Sequence, residues 1–163
     1  MKASTIAQLK KELQQRSPDE LLNLCLRLGR FKKENKELLT YLLFDADHEE
    51  GYVESVKAEV DEWFLEINTN SFFYIKKSVR KILRNIKKYI RYSGNKETEV
   101  ELLLYFCQKL HDFTPSIQNN TALFNLYQRQ LTFISKKVDV LHEDLQYDYG
   151  LALQELEVLT NSK

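Results

Sequence analysis

The stretch SFFYIKKSVRKILRNIKKYIRYSGNK, residues 71–96, holds nine lysines or arginines and no acid. On a helical wheel at about 100° per residue, Lys76, Lys77, Arg80, Lys81, Arg84, Lys87, Lys88 and Arg91 fall within an arc of roughly 140°. Ile75, Val79, Ile82, Leu83, Ile86, Tyr89 and Ile90 occupy the other side. Such a two-faced pattern of helical period, free of glycine and proline until Ser93-Gly94-Asn95, predicts one amphipathic helix with a basic ridge. It sets the fold class, because its neighbours repeat the same period.

On the N-terminal side, Val53, Val56, Val60, Trp63, Phe64 and Ile67 form one stripe, and residues 45–66 carry nine acids against the single base Lys57. This predicts an acidic amphipathic helix over 49–67, joined to the basic one by the turn-prone Asn68-Thr69-Asn70-Ser71. On the C-terminal side, Val100, Leu103, Leu104, Cys107 and Leu110 define a further helix, which should end before Pro115 because the residue preceding proline is pushed out of the helical region. Beyond the polar loop 113–120, Asn120 or Thr121 caps a segment in which Phe124, Tyr127, Leu131, Ile134, Val138, Leu141 and Leu145 recur at steps of three and four. The pattern falters at Asp148 and Gly150 and resumes with Leu153, Leu156 and Leu159, which predicts a long C-terminal helix bent or broken between 142 and 150. Its seam suits packing either inside the molecule or against a second copy.

Nearer the N-terminus, Ile6, Leu9 and Leu13 mark a short helix, and Ser17-Pro18-Asp19-Glu20 reads as a capping box that opens another. Leu21, Leu24, Cys25 and Leu28 follow at helical spacing, with Gly29 as an end signal before a third helix bearing Leu38, Tyr41 and Leu42. Four glycines and two prolines in 163 residues supply too few turns for a β-sandwich or barrel. The expected fold is all-α: one domain over 1–163, a bundle of six to eight helices. With 43% hydrophobic and 29% charged residues, the composition is that of a globular protein.

The stretch LKKELQQRSPDELLNLCLRLGRFKKENKELLTYLLF, residues 9–44, resembles small bacterial all-helical proteins of uncharacterised function. It covers about a quarter of the chain. The resemblance implies an all-helical fold and a bacterial-type cytoplasmic setting, and it carries over no site residues. No apolar run long enough to span a membrane and no export signal is evident in the sequence, so a cytoplasmic location is expected.

Twenty-four bases balance twenty-four acids, so any charge-driven function must come from a local patch. The basic ridge is that patch. Its plain reading is a face balanced by Glu54, Asp61, Glu62 and Glu66 of the acidic helix, since exposed ion pairs set register more than stability. Its functional readings are a protein partner or, alternatively, the phosphate backbone of nucleic acid, with Phe73, Tyr89 and Tyr92 as stacking faces. A helix lying on anionic lipid would need its apolar side, which the core also needs.

Metal chemistry has three weak candidates: Asp45 with His48, Asp139 with His142, and Cys107 with His111, each an acid or thiol three or four residues before a histidine. The bridging glutamates of a di-metal core are not evident, so no metal site and no cofactor is expected. Cys25 and Cys107 both sit in apolar runs and read as small core residues. Glycine-rich phosphate loops, the G-x-S-x-G elbow and H-E-x-x-H are all absent from the sequence. Tyr147, Asp148 and Tyr149 beside Gly150 could form a local polar feature. The favoured expectation is a non-enzymatic protein-protein interaction or adaptor module that uses the basic ridge or the seam to hold a protein partner or a second copy of itself. The competing ones are a nucleic-acid-associated protein using residues 76–91 and a metal-binding helical bundle.

Overall fold

A computed structural model describes residues 1–161. Among them are eight α-helices and no strand: α1 (Ile6–Leu13), α2 (Pro18–Phe31), α3 (Lys33–Thr40), α4 (Glu49–Leu65), α5 (Phe72–Ser93), α6 (Lys96–His111), α7 (Thr121–Val138) and α8 (Glu143–Asn161). The protein is all-α. Its helices group into two compact units, the first Met1–Phe44 and the second from Asp45 onward.

In the first unit, Ser17 and Glu20 form the expected capping box. The Glu20 carboxylate accepts from the Ser17 N–H at 2.8 Å, and the Ser17 hydroxyl accepts from the Glu20 N–H at 3.2 Å. That backbone hydrogen bond holds the exposed Glu20 carboxyl below its usual range. A second capping box, Thr5 with Gln8, opens α1. Gly29 does not end α2, which runs on to Phe31 and turns into α3 through the single extended residue Lys32. Instead Gly29 is buried where α2 meets α3, and a Cβ there would lie 3.1 Å from Leu39 Cδ1. Close helix approach, and not helix termination, is what this glycine serves. The third helix closes at Thr40, and Tyr41–Asp45 form one wider π-turn.

The second unit is built around α6. Helix α6 packs against α4, α5, α7 and α8. Its buried residues, Thr98, Val100, Leu102, Leu103, Leu104, Phe106, Cys107 and Leu110, surround most of its circumference, as a central helix requires. Val56 and Val60 of α4, Ile75, Val79 and Ile86 of α5, and Leu123, Tyr127 and Ile134 of α7 complete the core. Burying each such side chain contributes roughly 1.5–3 kcal/mol. Helix α5 ends at Gly94, whose left-handed φ of 66° admits glycine most readily. Asn120 caps α7 by accepting from the Leu123 N–H at 3.2 Å.

The long C-terminal helix is two helices. The break falls at 139–142, at the N-terminal edge of the expected interval, and α8 passes through Asp148 and Gly150 without interruption. Gln146 reaches back from α8, and its Nε2 donates to the carbonyls of Asp139 at 3.1 Å and Leu141 at 2.8 Å, satisfying groups that the end of α7 leaves open. With so short a connection α8 folds back on α7. The Tyr127 hydroxyl, buried on α7, donates to the Leu156 carbonyl of α8 at 2.7 Å. Burial pushes the Tyr127 phenol up from its ordinary pKa. The side chain of Leu159 lies outside the described residues.

A strut joins α4 to α6. Asp61 accepts from Lys109 Nζ at 2.8 Å and from the Tyr105 hydroxyl at 2.7 Å. The Lys109 hydrogen bond holds the Asp61 carboxyl below its usual 3.8, against a smaller opposing effect of burial. Burial, then Asp61, raises Tyr105 to about 12. A carboxyl whose folded pKa is depressed contributes stability that is present above its unfolded pKa and lost as the pH falls through the folded one. The stability gap between wild type and Asp61→Asn is therefore expected to hold near neutrality and to close as the pH drops below 3.8. Urea unfolding at a series of pH values, followed by Trp63 fluorescence, measures it; a gap that does not change with pH would show the strut to be uncharged.

Candidate functional site

Helix α5 presents the predicted ridge. Lys77, Arg80, Lys81, Arg84, Lys87 and Arg91 are exposed, and Lys76 and Lys88 are half-buried. The opposite face is sealed in the core, where Ile75, Val79 and Ile86 have no exposed surface. From Lys76 to Arg91 the cations span about 22 Å at a 1.5 Å rise per residue. Phe73, Lys76, Lys77, Arg80, Leu83, Arg84 and Lys87 border an open groove of about 660 Å³.

The expected neutralisation by Glu54, Asp61, Glu62 and Glu66 is not seen. Glu54 pairs with Lys57 of its own helix at 2.8 Å, and Asp61 is held by Lys109 and Tyr105 of α6. Glu59 accepts from the Tyr89 hydroxyl at 3.0 Å. None of Glu54, Asp61, Glu62 and Glu66 pairs with a ridge cation. Among the described residues, Lys76, Lys77, Arg80, Lys81, Arg84, Lys87 and Arg91 have no carboxylate within ion-pair distance. Lys88 Nζ stands 5.1 Å from the Tyr89 ring centre.

Acids gather instead between α4 and α6, where Glu49, Glu50, Glu54, Glu97 and Glu101 line a cleft of about 380 Å³. Lys57 bridges Glu54 and Glu101 there, the latter at 2.7 Å. Burial alone would lower the Lys57 pKa, and the hydrogen bonds to Glu101 and Glu54 outweigh it, so the ammonium titrates above its usual value. Glu49 accepts from the Ser93 and Thr98 hydroxyls. Tyr149 is the one member of the Tyr147-Asp148-Tyr149 group drawn into this region, donating to Glu97 at 3.0 Å. Burial, followed by Glu101 and Glu97, raises its phenol pKa. The sequence marks α4 as acidic; that α6 supplies the cleft's other wall is a matter of packing alone.

Aromatic rings stand at the ridge. Phe73, one turn before Lys76, lies at the middle of the basic arc and is 67% exposed, its ring meeting Tyr74 edge-on at 5.4 Å. Phe133 of α7, 37% exposed, lies beside the ridge with Lys87 Nζ 5.9 Å and Lys137 Nζ 5.0 Å from its ring centre. Its place there could not be read from a segment that predicts only a seam. Tyr89 and Tyr92 are half-buried and pack at 6.0 Å, with Trp63 a further 6.1 Å from Tyr89.

The other candidates disperse. His48 precedes α4 and its ring lies over Gly51. Asp139 and His142 occupy the exposed α7–α8 turn, where His142 Nδ1 is 3.6 Å from Asp144. Cys107 is fully buried, and burial pushes its thiol far above the reactive range. His111 Nδ1 lies 3.4 Å from the Tyr127 hydroxyl. Cys25 is exposed on α2, contrary to its expected core position, because the apolar residues that share its side of the helix, Leu22, Leu24, Leu26 and Leu28, are exposed as well. Among the described residues no group of three or more His, Cys, Asp or Glu is arranged to hold a metal ion, and no helix is long and apolar enough to cross a membrane. The seam residues Tyr127, Leu131, Ile134 and Val138 are buried inside the second unit, so that face is already covered.

No family model matches the chain, and no curated protein or solved structure matches it.

Proposed function

We propose that this chain is a non-enzymatic interaction module, in a cytoplasmic setting of bacterial type, that docks an anionic partner on the basic face of α5. One observation carries the reading: seven cations of one helix face lack a carboxylate partner in a chain whose charges balance overall, while Glu54 and Asp61 of the preceding helix are held by Lys57 and Lys109. The arrangement works against the isolated helix. Lys76–Arg80, Lys77–Lys81, Arg80–Arg84, Arg84–Lys88 and Lys87–Arg91 are like-charge pairs one turn apart, each destabilising by about 0.2–0.5 kcal/mol. Burial of Ile75, Val79 and Ile86 on the opposite face holds the helix in place nonetheless. An anionic partner relieves that repulsion.

Retention on immobilised heparin, a generic polyanion, tests the reading. Wild type should elute only at raised salt, and Arg80→Glu/Arg84→Glu/Lys87→Glu, three exposed changes, should pass through while keeping its helical circular dichroism. Equal elution of the two proteins would overturn the proposal.

A further inference from the structure

We infer that the anionic partner on α5 is a single-stranded nucleic acid, whose phosphates follow the ridge and whose bases stack on Phe73. This rests on the proposed function above and goes further by naming the partner. The ridge is a band of cations about 22 Å long and roughly 140° of the helix wide, which gives an extended polyanion a continuous track. Phe73 sits on the midline of the same arc, two-thirds exposed, one turn ahead of the first cation. A large apolar side chain in the middle of a basic face finds no purpose in binding charge. A flat ring beside a row of cations is what a splayed base and its phosphates require together. Phe133, set against Lys87, offers a second ring about 20 Å further along α5.

The remaining anionic partners fit less well. A duplex keeps its bases stacked on one another, so it offers phosphates to the ridge and no open base face to Phe73. A lipid surface would call on the apolar side of α5, which lies in the core. An acidic peptide satisfies the cations and leaves Phe73 without a role.

The experiment compares a fluorescently labelled oligothymidylate of about 20 nucleotides with an abasic deoxyribose-phosphate oligomer of equal length, by anisotropy at low salt. Wild type should bind the oligothymidylate about tenfold more tightly than the abasic oligomer. Phe73→Ala, a change at an exposed position, should lose most of that preference and keep its affinity for the abasic oligomer. The triple ridge variant should lose both. Equal binding of the two oligomers by wild type, unchanged in Phe73→Ala, would overturn the base-stacking inference and leave the polyanion reading standing. Tighter binding to a duplex of the same length, or binding to phosphatidylserine vesicles without binding to either oligomer, would overturn it in favour of those partners. Loss of heparin retention in wild type would bring down the proposed function itself.

Discussion

Raising the salt from about 50 to about 200 mM is expected to weaken oligothymidylate binding by about a thousandfold. Each phosphate neutralised on a single strand releases condensed counterion equivalent to about 0.7 in the log–log slope, so seven engaged cations give a slope near −5. The seven are those without a carboxylate partner, from Lys76 to Arg91. Removing three of them in Arg80→Gln/Arg84→Gln/Lys87→Gln should bring the slope to about −3. A cation already held by a carboxylate releases less counterion, so the slope reports directly on the unpaired state of the ridge. A slope close to zero in wild type would place binding on another surface. Association through an apolar face would respond little to the same change in salt.

The second large effect falls on the core. Phe106→Ala is expected to destabilise the second unit by about 3–5 kcal/mol, most of the margin by which a small domain stays folded. Phe106 has no exposed surface and lies on α6, the helix that the other four surround. Its ring is 6.0 Å from that of Phe64, which in turn is 6.0 Å from Phe113, so the cavity would open against a packed aromatic group. Urea unfolding followed by Trp63, the single tryptophan and a residue of this unit, reads the shift in midpoint. Leu65→Ala, a change at an 86% exposed position, is the control and should move the midpoint little. A loss below about 1 kcal/mol for Phe106→Ala would mean that its neighbours close the space and that α6 is not the centre of packing.

The helical class was legible because periodicity and scarce turn residues agree. Ser17 with Glu20, and Asn120, sit where local chemistry places caps. The α7–α8 break was less legible, since Val138, Leu141 and Leu145 keep steps of three and four through the turn. A hairpin and a bent helix bury the same stripe. No glycine or proline marks residues 139–142, and the stop is held by the Gln146 side chain, which belongs to the following helix. Gly29 misled for a related reason: a glycine that ends a helix and one that lets two helices touch look alike until Leu39 is placed against it. The ridge itself was fully legible on the helical wheel. Its missing counter-charges were not, because whether Glu54 and Asp61 turn toward α5 or α6 depends on how three helices pack.

The carboxylates that line the cleft between α4 and α6 and the cations on α5 hold opposite charges apart within the second unit. Near an extended polyanion the field is steep, and within about one Debye length, some 8–10 Å, the second unit turns its α5 face toward it. Orientation is thus set before touch. On a sulfonate resin at its own isoelectric point, where average charge predicts no retention, this protein should still be held.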